Sequence, residues 1–161
     1  MLYEEVGMFL KVVKVLGLTL FLAACGGNSS DSSGVSESVE LQGFNGSWRS
    51  NCYLLDDLYV IDTFFVSGKL FSAVSEVFDD PSCSEVLATI PINGSFTAGD
   101  ALVTDSGLNA LEIDFLIEFE GDDFEFLDII RIDGDTFNFG VLVDFDSRPS
   151  ELDFEVTFTR I

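Results

Sequence analysis

Three cysteines, a large excess of carboxylates and no histidine are the chemical resources of this chain of 161 residues. Without histidine, neither a Ser-His-Asp nor a Cys-His nucleophile can be assembled. No glycine-rich phosphate loop is present. Asp144-Phe145-Asp146-Ser147-Arg148-Pro149 begins like a calcium loop but puts arginine and proline where a ligand and a glycine belong. Asp133-Gly134-Asp135 reads as a turn. Glu120, Asp122 and Asp123 form a weak calcium candidate. Paired carboxylates occur everywhere in so acidic a chain, so no single pair singles out an acid–base site. The expectation is a protein with no catalytic residues, no resident metal and no cofactor.

The first cysteine has a distinctive setting. Lys11 and Lys14 form a short basic region, and Val12 to Leu22 is mostly apolar. That run is too short for a membrane span, which needs about 20 apolar residues, but has the order of an export signal. Leu22-Ala23-Ala24-Cys25 closes it and resembles a bacterial lipobox, in which the cysteine becomes the lipidated, palmitate-bearing N-terminus of the mature chain. The resemblance implies removal of residues 1–24 and lipidation of Cys25. Glu4 and Glu5 lie unusually ahead of the basic region, so translation from Met8 is the better reading. Gly26 after the cysteine, in place of aspartate, implies sorting to the outer membrane, facing the periplasm or the cell surface. Residues 25–43 are rich in glycine and serine and have little to bury, which predicts a disordered tether of about 20 Å reach.

The charge is −22 overall. It stays there after processing, because Lys11, Lys14, Glu4 and Glu5 leave together. Such a surface repels nucleic acid, whose binding depends on basic contacts. Two readings of the acidity stay open: a site for a cation or basic partner, and a solvated outer face that keeps the protein soluble. With Cys25 assigned to the lipid, Cys52 and Cys83 remain as an even pair in an oxidising compartment, and only one disulfide is possible. A metal site is the rival reading, weakened by the lack of histidine.

From Trp48 onward the pattern is strand after strand. Leu152, Phe154, Val156, Phe158 and Arg160 alternate with polar residues, and so do Leu111, Ile113, Phe115, Ile117 and Phe119. Phe137, Phe139, Val141 and Val143 repeat the period of two that marks one buried and one wet face. Further strands are expected at 58–67, 69–78, 87–98, 101–105 and 124–132, separated by turn signals such as Ser67-Gly68, Gly99-Asp100 and Gly121-Asp122. Asn93-Gly94 fits either a hairpin turn or a bulge in one long strand. The fold class expected over residues 44–161 is all-β: an antiparallel meander of eight or nine strands closing into a barrel. A two-sheet sandwich is the alternative.

Gly46-Ser47-Trp48 opens the first strand, and Arg160 lies on the apolar face of the last. A charge there needs partners, which the indole face and backbone carbonyls can supply. A Gly-x-Trp on the first strand with a basic residue on the last resembles the calycin signature of lipocalins and their relatives. The spacing Gly-Ser-Trp-x-x-x-Cys, with a second cysteine after Asp-Pro-Ser, also resembles small lipoproteins of Gram-negative bacteria. These resemblances imply that Gly46, Trp48 and Arg160 close one end of a barrel, and that the membrane is a partner through the lipid anchor. Two functions follow as expectations: a small apolar ligand held in the barrel, or a barrel filled by its own phenylalanines that serves as a structural or protein-interaction module of the envelope.

Overall fold

The computed structural model describes residues 43–119, 121–142 and 147–161. The expected signal, Cys25, the tether, Glu120, Asp144 and Asp146 lie outside these residues. Nine strands run in order: β1 (Gly46–Ser50), β2 (Tyr53–Leu55), β3 (Leu58–Ser67), β4 (Leu70–Phe78), β5 (Ala88–Val103), β6 (Asn109–Phe119), β7 (Asp122–Asp133), β8 (Thr136–Phe139) and β9 (Phe158–Arg160). No helix occurs among the described residues. Every pairing is antiparallel. Neighbours follow the order β1-β9-β8-β7-β6-β5-β4-β3, and β1 pairs β3 again, so eight strands close into a barrel. β2 stands outside that ring and continues the line of β1 along β3.

The closure follows from the alternation. Trp48, Phe64, Phe71, Phe96, Phe115, Phe126, Phe137, Phe139 and Phe158 occupy one face of their strands and meet in a single core. Burying about 25 cal/mol per Å² of apolar surface on that face drives the sheet to curl until its two edges, β1 and β3, pair. Close approach needs space at one position: a Cβ on Gly94 would collide with the Leu116 carbonyl oxygen and meet the Phe71 ring at 2.8 Å.

Four expectations about strand limits are corrected. Residues 87–98 and 101–105 belong to one strand, β5, and Gly99-Asp100 is a bulge in its pairing with β6 rather than a turn. Asn93-Gly94 sits in regular register with Ser72 and Phe71 within one long strand, so neither a hairpin turn nor a bulge forms there. The third correction is that β8 stops at Phe139, leaving Val141 and Leu142 exposed; Val143 lies outside the described residues. The last strand is only Phe158–Arg160. Phe154 is 57% exposed instead of facing the core.

The physical reason for the last two is a rival set of hydrogen bonds. The Asn138 amide donates to Asp153 O (3.0 Å), Val156 O (3.0 Å) and Thr157 Oγ1 (2.9 Å). Asp153 Oδ1 accepts from the Glu155 amide at 2.8 Å, a local turn that competes with an extended ladder. Leu152 bridges Gly140 and joins Ala110 and Ile129 in a small second core on the outer wall. That is why Asp128, Ile129 and Ile130 are buried in succession. The barrel covers one face of β7 there, and the chain around Leu152 covers the other.

Candidate functional site

The residues singled out from the sequence come together at one end of the barrel. Trp48 and Arg160 are direct partners in the β1–β9 ladder. The Arg160 guanidinium carbon lies 4.0 Å from the centroid of the Trp48 ring. Its nitrogens are satisfied as well: Nη1 donates to Asn45 O (2.9 Å), Nη2 to Gly43 O (2.7 Å) and Nε to Asp135 Oδ1 (3.3 Å). Trp48 is fully buried, and its indole N–H donates to Phe44 O at 2.8 Å. Gly46 has a φ of 133°, and a Cβ there would meet Arg160 Nη1 at 2.6 Å. Only glycine combines that backbone with that approach. Phe44 completes the plug, its ring 5.3 Å from Phe96 and 5.2 Å from Phe137.

Between the ends the lumen is occupied by rings. Phe137 stacks on Phe158 at 4.5 Å, and Phe139 reaches Phe64 at 5.8 Å and Phe115 at 5.6 Å. Phe71 meets Phe115 edge-on at 5.3 Å, and Phe126 stacks against Phe115 at 6.2 Å. β3 and β8, separated round the barrel by β1 and β9, thus touch through side chains. The concavities lined by Arg49, Asn51, Phe154 and Thr159, and by Ser47, Phe65, Leu70 and Ser72, are open depressions of about 430 Å³ and 400 Å³ on the outer wall.

A polar corner at the other end was not anticipated. Asp62 accepts hydrogen bonds from the Tyr53 hydroxyl and the Ser75 hydroxyl, each at 2.5 Å, and its amide donates to Ser50 Oγ at 2.8 Å. Burial pushes the Asp62 carboxyl above the usual range, against the pull of the two hydroxyls. Burial, and then the charge of Asp62, push the Tyr53 phenol upward too. The signal was present in the alternation Val60, Asp62, Phe64, Val66, which puts a carboxylate on the inward face of β3. Asp128 is a second buried carboxyl, pushed up to about 7 by burial although the amides of Ile129 (2.7 Å) and Gly140 (3.0 Å) donate to it.

Cys52 and Cys83 form the expected disulfide, tying the chain between β1 and β2 to the β4–β5 loop. Arg148, placed in the sequence where a calcium loop would fail, instead binds Asp114 Oδ1 (2.6 Å), Glu112 Oε1 (3.4 Å) and the Asp128 carbonyl (2.5 Å). Asp122 and Asp123 are exposed near the β6–β7 turn. Among the described residues no three carboxylates or thiols converge as a metal ion requires.

The geometry defines a class: an eight-stranded antiparallel barrel, plugged at one end by an arginine laid over a tryptophan and packed through its middle with phenylalanine. Comparison of the chain with protein-family models, with curated proteins and with solved structures finds no match.

Proposed function

We propose that this chain is a lipid-anchored lipoprotein of the bacterial envelope, held at the outer membrane through Cys25, whose lipocalin-like barrel is a non-catalytic structural or protein-interaction module. The observation that carries the second half is the filled lumen. Rings from β3, β6 and β8 touch across it, and a small barrel packed in this way has no room for a guest without displacing its own core. Recognition then belongs to the outer wall and rims. The anchoring half is supported by Leu22-Ala23-Ala24-Cys25 after its basic and apolar run. The disulfide agrees with an exported protein, since such bonds persist in oxidising compartments.

Native mass spectrometry of the Cys25→Ser chain tests the module reading. A mass equal to the polypeptide alone is expected. A co-purified lipid or other apolar molecule would replace this reading with an apolar-ligand carrier.

A further inference from the structure

The pairing of β5 is lopsided. Ala88–Ser95 pair with β4 and Asn93–Val103 with β6, so only Asn93–Ser95 lie between two strands. The Phe96 amide donates to Lys69 O at 2.9 Å at the β3–β4 turn. Beyond it, Thr97–Val103 have β6 on one side and no described strand on the other. The side chains there are small or short, and Ala98, Gly99, Asp100 and Ala101 are exposed. Val103 is 66% exposed. An edge of this kind presents main-chain N–H and C=O groups to any extended segment that can lie beside it.

The charge around the edge selects the occupant. Asp100 projects from the bulge, and Glu112 packs beneath Gly99. Asp114 pairs with Thr97 across the ladder, and Asp105 follows the strand. Arg148 is the cation that meets this group, and it is already engaged by Glu112 and Asp114. A second copy paired antiparallel about this edge would oppose Asp100 to Asp100, and like charges face to face across a ladder are unfavourable. The stretch of this chain just before Gly43 carries Glu37 and Glu40 and meets the same repulsion. A basic partner gains where these two lose.

We infer that the Thr97–Val103 edge of β5 is a strand-addition site for an extended, lysine- or arginine-bearing segment of an envelope protein. This deepens the reading of the barrel as an interaction module and rests on it for the kind of partner. The partner strand continues the line of β4 beyond its first residue, Leu70, runs antiparallel to β5, and sets its basic side chains among Asp100, Glu112 and Asp114.

The experiment is amide hydrogen exchange and fluorescence anisotropy on the full chain in detergent. The probes are the peptide acetyl-Thr-Lys-Val-Lys-Val-Lys-Thr-amide and its analogue with glutamate for each lysine. The basic peptide should slow exchange at alternate amides within Thr97–Val103 and bind roughly tenfold tighter than the acidic one. Asp100→Lys should erase that preference while leaving the thermal transition in place. Three outcomes overturn the proposal. One is no added protection with the basic peptide. Another is edge protection already present in the monomer without peptide, which would assign the edge to the chain's own preceding residues. The third is protection that grows with protein concentration, which would assign it to a second copy. An inert edge with a ligand-free mass removes this site and leaves the module reading in place. A bound apolar molecule with a peptide-binding edge does the reverse.

Discussion

Arg160 stands one residue from the end of the chain, where substitutions are normally tolerated. Its contacts predict otherwise. A guanidinium over an indole contributes about 0.5–2 kcal/mol depending on desolvation, and here it also satisfies two backbone carbonyls of the plug. Arg160→Ala should therefore lower stability measurably in urea unfolding. A cycle of Trp48→Phe and Arg160→Lys should show coupling above about 0.5 kcal/mol. A silent Arg160→Ala would mean that the plug does not hold the barrel end. Asp128 makes a second prediction, about pH. Its folded value is about 7, raised by burial from the ordinary 3.8. A carboxyl raised in the folded state contributes stability that is fully present below the unfolded value and lost as pH rises through the folded one. Asp128→Asn keeps an oxygen acceptor for Ile129 and Gly140 and removes the titration. Relative to wild type, the variant should gain stability as pH rises from about 4 to about 7, on the order of a few kcal/mol. Asp62 shifts in the same direction in both proteins, so the difference isolates Asp128. Parallel pH profiles would show that Asp128 does not titrate in this window.

At the scale of elements, the disulfide is the covalent constraint. It links positions 31 apart and ties the chain before β2 to the β4–β5 loop. Closing a loop of that size removes chain entropy from the unfolded state worth about 3–4 kcal/mol. Cys52→Ser with Cys83→Ser should lower stability by about that amount and leave the barrel's far-ultraviolet spectrum unchanged. Equal midpoints for the variant and the oxidised protein would argue that the unfolded chain is already compact there. Several elements were legible beforehand. β3, β4, β6 and β7 fall within a few residues of expectation, β6 because it carries a long, clean alternation and the others because turn signals bound them. The short elements were not. β2 has three residues, too few for any period to show. The stretch 152–157 has the alternation of a strand, but the Asn138 amide and the Asp153 carboxylate take its backbone into another shape. Those bonds join residues 15 or more apart in one case and depend on one rotamer in the other.

For the whole molecule, net charge is the dominant long-range property. A net charge of −22 over the chain keeps copies apart in solution. The anchoring proposal predicts that Cys25→Ser loses radiolabelled palmitate and leaves the membrane fraction. A variant that fractionates like wild type would remove the lipobox reading and the outer-membrane assignment with it. The barrel itself does not depend on that result, since its closure rests on β1 pairing both β3 and β9.

The sequence by itself determined the all-β class, the long strands, the disulfide partners and the types of residue at the Trp48–Arg160 end. Each of these is local or nearly so: a period of two, the two cysteines that remain once Cys25 is set aside, an arginine on an apolar face that needs partners. Tertiary structure alone decided three other things. It chose barrel over sandwich, because the alternation is the same whether a sheet curls on itself or packs on a second one. It decided that the lumen is full, because occupancy depends on the summed volume and the rotamers of rings brought from β3, β4, β6, β7, β8 and β9 to one axis. It also left Thr97–Val103 with a single neighbouring strand among the described residues, because β4 ends its pairing at Ser95 while β6 continues to Val103. A strand's own residues specify its faces. Only the lengths of the strands beside it specify which of its edges is open.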